Sequence, residues 1–143
     1  MADEQQIVLE VDEFYRGYID GFNREDIDLF MQSFDLPFAI LSGGRAAIVC
    51  ATEADQQTFY AQMMAGIQGR GWARSDVDQI RVWPLAANLA TLMADVTRYR
   101  RDGSVIERLR AFYTLRRDAR SWKIVTLMQA TPPFLGPGAI PRE

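Results

Sequence analysis

The sequence predicts an α+β domain with three N-terminal helices and an antiparallel sheet. Apolar residues recur with a helical period early in the chain and with a period near two in its second half. A Gly-Gly pair and an Asp-Gly dipeptide separate apolar runs at hairpin spacing. With 143 residues, 48% hydrophobic and 24% charged, the chain suits one globular domain with a sizeable core.

Ile7, Val11, Phe14, Tyr18 and Phe22, at spacings of four, three, four and four, mark one face of a long helix. Gly21 loosens its end. Asn23, three residues ahead of Asp26, resembles a cap for a second helix whose apolar stripe is Ile27, Phe30, Met31 and Phe34. A residue before proline avoids helical dihedrals, so Leu36 ahead of Pro37 closes this helix near Asp35. FAILSGGRAAIVC then reads as two strands joined by Gly43 and Gly44, where glycine accepts the positive φ of a two-residue loop. Thr52 caps a third helix, with Asp55 reaching back as in a capping box. Phe59, Met63 and Ile67 form its apolar face, and Gly66, Gly69 and Gly71 end it. Strands follow at about Asp76–Trp83, Asn88–Arg100, Val105–Arg116 and Ser121–Ala130, before an irregular Pro/Gly-rich tail from about residue 131.

The RDGS turn sets a register. If Asp102 and Gly103 are the two loop residues, opposite positions sum to 205. Leu92 then faces Tyr113, Ala94 faces Ala111, Val96 faces Leu109 and Arg98 faces Glu107, an apolar inner face with an ion pair near its turn. The other face pairs Met93 with Phe112, Asp95 with Arg110 and Thr97 with Arg108, and reads as outward.

Composition excludes several function classes. There is no histidine and only one cysteine, Cys50, which removes an intramolecular disulfide, cysteine-rich zinc sites and histidine-dependent triads; no metal or other cofactor is expected. Cys50 has no basic cluster nearby in sequence to activate it and reads as a small apolar filler. Residues 1–60 carry a net −9 and residues 61–143 a net +6, so the two parts should attract one another. The basic arginines alternate with acids in an acidic chain, which argues against nucleic-acid binding. No run of eighteen apolar residues and no basic, apolar N-terminal leader occurs, so a cytoplasmic protein away from membranes is expected.

FYRGYIDGFNREDIDLF in the first helix, the GG hairpin, and four long strands ending in YTLRRDARSWKIV together resemble the nuclear-transport-factor-2-like superfamily, of the SnoaL-like and ketosteroid-isomerase-like type, over about residues 5–131. The resemblance implies a cystatin-like cone: three helices packed in the concavity of a strongly curved antiparallel sheet, with a deep cavity between them and frequent homodimerisation. It also implies a choice between binding proteins and isomerases, cyclases or dehydratases acting on small apolar, polyketide-like or steroid-like substrates. Isomerases of this type place a carboxylate base after the first strand, where this chain has Ser42, Gly43 and Gly44. Met128 stands about where related dehydratases often offer a pocket histidine.

Two carboxylates remain as weak catalytic candidates. Asp35, at a helix-to-strand junction, reads more simply as turn chemistry. Asp95 reads as the cross-strand partner of Arg110, unless the register slips and turns it to the cavity. Tyr15, Tyr18 and Tyr113 either present hydroxyls to a ligand or belong to the core. Phe34, Phe59, Met63 and Met128 are candidate cavity wall. On the outer sheet face Met93, Phe112, Val125 and Leu127 suggest a homodimer contact, if Trp122 and Ile124 point inward. The expected function is a small-molecule-binding or accessory domain with a mainly apolar cavity. An isomerase, cyclase or dehydratase is the alternative, and a purely structural dimerisation module is the second.

Overall fold

The computed structural model describes residues 3–136. Its elements run α1 (Glu4–Asn23), α2 (Ile27–Gln32), β1 (Phe34–Ser42), β2 (Arg45–Cys50), α3 (Glu53–Gln68), β3 (Trp72–Ala86), β4 (Leu89–Arg100), β5 (Val105–Arg117) and β6 (Trp122–Ala130).

Each helix begins on a side-chain cap. The Asp3 carboxylate accepts from the Gln5 N–H, Asp26 accepts from the Leu29 N–H, and Thr52 with Asp55 forms the expected reciprocal box. The cap of α2 is therefore Asp26 and not Asn23. Asn23 ends α1 and clamps Ser75 of β3 instead, donating to its carbonyl and accepting from its N–H, both at 2.8 Å. The buried side of α1 is Ile7, Val11, Tyr15, Tyr18 and Phe22, and that of α3 is Gln56, Tyr60, Met64 and Ile67. Phe59 and Met63 stand beside the latter face, half-buried. Gln56 donates to the Phe30 and Met31 carbonyls and so ties α3 to the end of α2.

The six strands form one sheet in the order β2-β1-β6-β5-β4-β3. This corrects the expected strongly curved antiparallel cone. The sheet is mixed, because β1 runs parallel to β6, and it is open and not strongly curled, with β2 and β3 as separate edges. Hairpin signals specify only antiparallel neighbours. The β1–β6 pair joins segments far apart in sequence and leaves no turn signature. The same pairing starts β1 early: the Ile124 N–H donates to the Ser33 carbonyl at 2.8 Å and Phe34 lies beside Ile124. Asp35 is thus a strand residue, and α2 ends three residues before it.

The β4–β5 pairs include Leu92 with Tyr113, Asp95 with Arg110 and Arg98 with Glu107, the register expected from the sequence. Its turn is different. Arg100 pairs with Ser104 around three loop residues, Gly103 takes φ +88°, and the register shifts by one beside Tyr99. The extra loop residue and the bulge cancel, so two departures leave the pairing beyond them unchanged. In the β1–β2 hairpin Ser42 pairs with Arg45 around Gly43 and Gly44, yet neither glycine is among those with positive φ.

A second irregularity changes which residues face inward. Thr114 pairs with Thr126 and Leu115 with Ile124, so Val125 is an extra residue in β6. Strict alternation from Trp122 and Ile124 would send Leu127 outward. The bulge reverses this: Leu127 is buried and Met128 is exposed. The outer face is also partly covered. Met93 is only 4% exposed, Trp83 stacks on Phe112, and Phe134 from the tail lies 4.6 Å over the Arg110 guanidinium. The tail expected from residue 131 is without regular structure through Gly136, and its remainder lies outside the described residues.

Candidate functional site

The space between the helices and the inner sheet face has two connected levels. The deeper is a chamber of about 30 Å³ walled by Tyr15, Tyr18, Phe22, Tyr113, Leu127 and Gln129. The outer is a vestibule of about 450 Å³ between α3 and the strands, with Ile40, Ile48, Phe59, Met63 and Leu109 as apolar wall and Arg45, Gln62 and Arg70 among its polar residues. Phe59, Met63, Arg98, Leu109 and Gln129 line both levels.

The chamber is built by alternation on two element types. Positions 11, 15, 18 and 22 turn one side of α1 to the sheet, and odd positions of β5 return Leu109, Ala111 and Tyr113 toward it. The Tyr15 and Tyr113 hydroxyls meet at 3.3 Å, and the Tyr18 ring stands edge-on to both Tyr113 and Phe34. Burial raises the Tyr15 phenol well above the ordinary tyrosine range despite its bond to Tyr113. Burial likewise pushes Tyr18 and Tyr113 far up, and the neighbouring phenols add to it. All three remain neutral hydroxyls at working pH.

Arg98 borders the chamber on the side toward the turn, with Glu107 beside it in the vestibule. Arg98 Nη1 donates to Glu107 Oε2 at 2.7 Å, and Arg70 grips the same carboxylate with two bonds at 3.2 and 2.8 Å. Burial alone would raise the Glu107 carboxyl. The bonds from Arg70 and the adjacent Arg98 charge outweigh that and hold it below the usual range.

Of the residues singled out in the sequence, Tyr15, Tyr18, Phe59, Met63 and Tyr113 meet in this space. Phe34 is buried behind it, packed on Tyr18, Phe30 and Phe38. Met128 lies on the opposite face because of the Val125 bulge, in an outer groove of about 440 Å³ with Leu41, Met93, Phe112 and Leu135. Asp35 bonds Arg116 at 2.7 Å near the surface. Asp95 receives Nε and Nη2 of Arg110 at 2.6 and 2.8 Å on the outer face. Neither carboxylate lines the chamber or the vestibule. Cys50 is buried, and burial raises its thiol.

Sequence reasoning missed Arg98, Glu107 and Gln129 as cavity residues. The signal for Arg98 was present, since its position continues the inward series Leu92, Ala94, Val96. Gln129 takes an inner position only because of the bulge, which no local pattern announces. Among the described residues no group of three or more Cys, Asp or Glu is placed to hold a metal ion. No helix there is long and apolar enough to cross a membrane.

A model of NTF2-like proteins, DUF6841, matches residues 7–132. The chain belongs to this NTF2-like family. Among solved structures it is similar to an NTF2-like protein of unknown function from Pseudomonas putida KT2440, with 12% identity, TM-score 0.74, and 92% of this chain and 90% of that one covered. It is also similar to a cystatin-like-fold protein from Nostoc punctiforme PCC 73102, with 14% identity, TM-score 0.70 and coverage of 89% and 92%. A ketosteroid isomerase-like protein from Erwinia carotovora atroseptica SCRI1043 matches at 16% identity and TM-score 0.64, covering 87% of this chain and 95% of that one. At these identities the likeness is one of fold. No curated protein matches.

Proposed function

We propose that this NTF2-like protein binds a small, mainly apolar molecule in the vestibule, with its polar end toward the tyrosine chamber, and performs no carboxylate-based acid–base chemistry on it. One observation carries the reading. Among the described residues the only carboxylate lining the two cavity levels is Glu107, and two arginines hold it ionised and bonded. A general base needs a pKa near working pH and a free lone pair aimed at substrate. Glu107 is tuned the opposite way, and Asp35 and Asp95 are engaged elsewhere.

An isomerase, cyclase or dehydratase would have to work through the neutral tyrosine hydroxyls alone. The vestibule volume of about 450 Å³ suits a compact ligand. The test uses 2-naphthalenemethanol as an uncharged probe in calorimetric titration. Saturable binding that weakens about tenfold in Phe59→Ala supports the reading; equal binding by the variant refutes it, as does the absence of saturable binding by both this alcohol and the carboxylate of the same ring, 2-naphthoate. We infer that a second copy of the chain packs against the outer groove, a reading supported by the apolar surface that Leu41, Met128 and Leu135 leave there. Light scattering showing only monomer at micromolar concentration would refute that placement.

A further inference from the structure

Arg98 and Arg110, two arginines of the central hairpin with side chains at most 11% exposed, use their guanidinium groups differently. Arg110 turns its Nε/Nη2 edge onto Asp95, the two-bond geometry that suits a planar carboxylate. Arg98 bonds Glu107 through Nη1. Its Nε is buried and has no hydrogen-bond partner among the described residues, and Nη2 makes no described bond either. The edge that holds a carboxylate on Arg110 is therefore unpartnered on Arg98, although the Arg98 side chain is only 11% exposed. Buried donors are ordinarily satisfied, and a guanidinium edge more than most, because its charge raises the cost of leaving it bare.

Its surroundings name the missing acceptor. Arg98 borders both the vestibule and the chamber. The chamber, about 30 Å³, accepts on the order of two water-sized atoms, enough for the oxygens of one small head group and for no ring. Its other polar side chains are the neutral hydroxyls of Tyr15, Tyr18 and Tyr113, the Ser75 hydroxyl that accepts from the Trp72 indole N–H, and the Gln129 amide, all able to donate. The vestibule sets Arg45, Arg70 and Arg98 against the single Glu107, an excess of positive charge in a chain whose formal net charge is −3.

We propose that the ligand of this cavity is a small apolar carboxylate whose two oxygens sit at the chamber mouth on the Nε/Nη2 edge of Arg98, with its apolar body against Phe59 and Met63. This rests on the binding reading above and adds the charge of the ligand's head group. Glu107 orients Arg98 and competes for its charge, so it sets the affinity without touching the ligand's body.

The experiment compares 2-naphthoate with 2-naphthalenemethanol, which share the ring system and differ in the head group, by calorimetric titration at pH 7.5. The expected result is naphthoate binding at least tenfold tighter than the alcohol in the natural protein, with the ratio falling below twofold in Arg98→Met. Glu107→Gln, which keeps Arg98 and serves if Arg98→Met does not fold, should tighten naphthoate at least threefold. Equal affinity for both probes in the natural protein overturns the carboxylate assignment while leaving the binding function standing. A preference that survives Arg98→Met, or naphthoate weakened by Glu107→Gln, overturns it as well. Failure of both probes to bind refutes the binding function itself, and the carboxylate assignment with it.

Discussion

Removing one hydroxyl from the chamber tests whether Tyr15 and Tyr113 act as a pair. Tyr113→Phe deletes a phenol oxygen 3.3 Å from that of Tyr15, with both residues at most 4% exposed. That distance exceeds the usual ~2.8 Å for O–H···O, so the bond sits at the weak end, about 0.5 kcal/mol. Leaving the Tyr15 hydroxyl buried without its partner adds about 1 kcal/mol. The adjacent chamber of about 30 Å³ can admit a water to the exposed hydroxyl and return part of that. The net expectation is about 1 kcal/mol for Tyr113→Phe, and the same for Tyr15→Phe. The double variant leaves no orphan and should cost no more than either single change, a coupling of about 1 kcal/mol. Urea denaturation reads this as a midpoint shift at constant slope. Both phenols are held neutral by burial, so the coupling should be the same at pH 6 and pH 9. Additive losses, with the double variant costing the sum, would show that the hydroxyls do not depend on one another and would refute the paired chamber.

The two sequence candidates for a base should separate by stability. Asp95→Ala strips a bidentate partner from Arg110, 7% exposed, and should cost about 3 kcal/mol, whereas Asp35→Ala breaks a pair exposed at 53% and 35% and should cost under about 1 kcal/mol; similar thermal melts would contradict this. Gly103→Ala forces a side chain onto φ +88° and should cost about 1 kcal/mol, while Gly43→Ala, with nothing within 4 Å of the added carbon, should stay within about 0.5 kcal/mol by chemical denaturation. The Glu107 carboxyl is lowered in the folded protein from an ordinary value of 4.5, so its contribution is present above that pH and lost as pH falls through the folded value. The stability gap between the natural protein and Glu107→Gln should therefore shrink on acidification below pH 4.5, and a gap that widens there would refute the assigned ion pairing.

The opposite charges of the chain's two parts find each other as expected, in Asp35 with Arg116 and Glu10 with Arg117. Which acid meets which base depends on the sheet order, and so the sequence presented Asp35 as a local turn residue or a candidate base and not as the partner of Arg116. Tyr15 shows the same limit on a helix. Spacing placed Phe14 on the buried stripe, but the angle at which α1 meets the sheet buries Tyr15 and leaves Phe14 at the margin.

By itself the sequence determined what is local or strictly periodic: the three helices, the capping box at Thr52, the two hairpins, and the pairing that sets Asp95 against Arg110. Such features follow from backbone geometry repeated every two or 3.6 residues and from turns a few residues long. Only the tertiary structure decided the parallel docking of β1 on β6, the bulge at Val125 that exchanges Leu127 for Met128, and the unpartnered edge of Arg98. A single inserted residue inverts the facing of every side chain beyond it. Its cost is repaid by contacts made across the whole sheet, which no window of sequence contains.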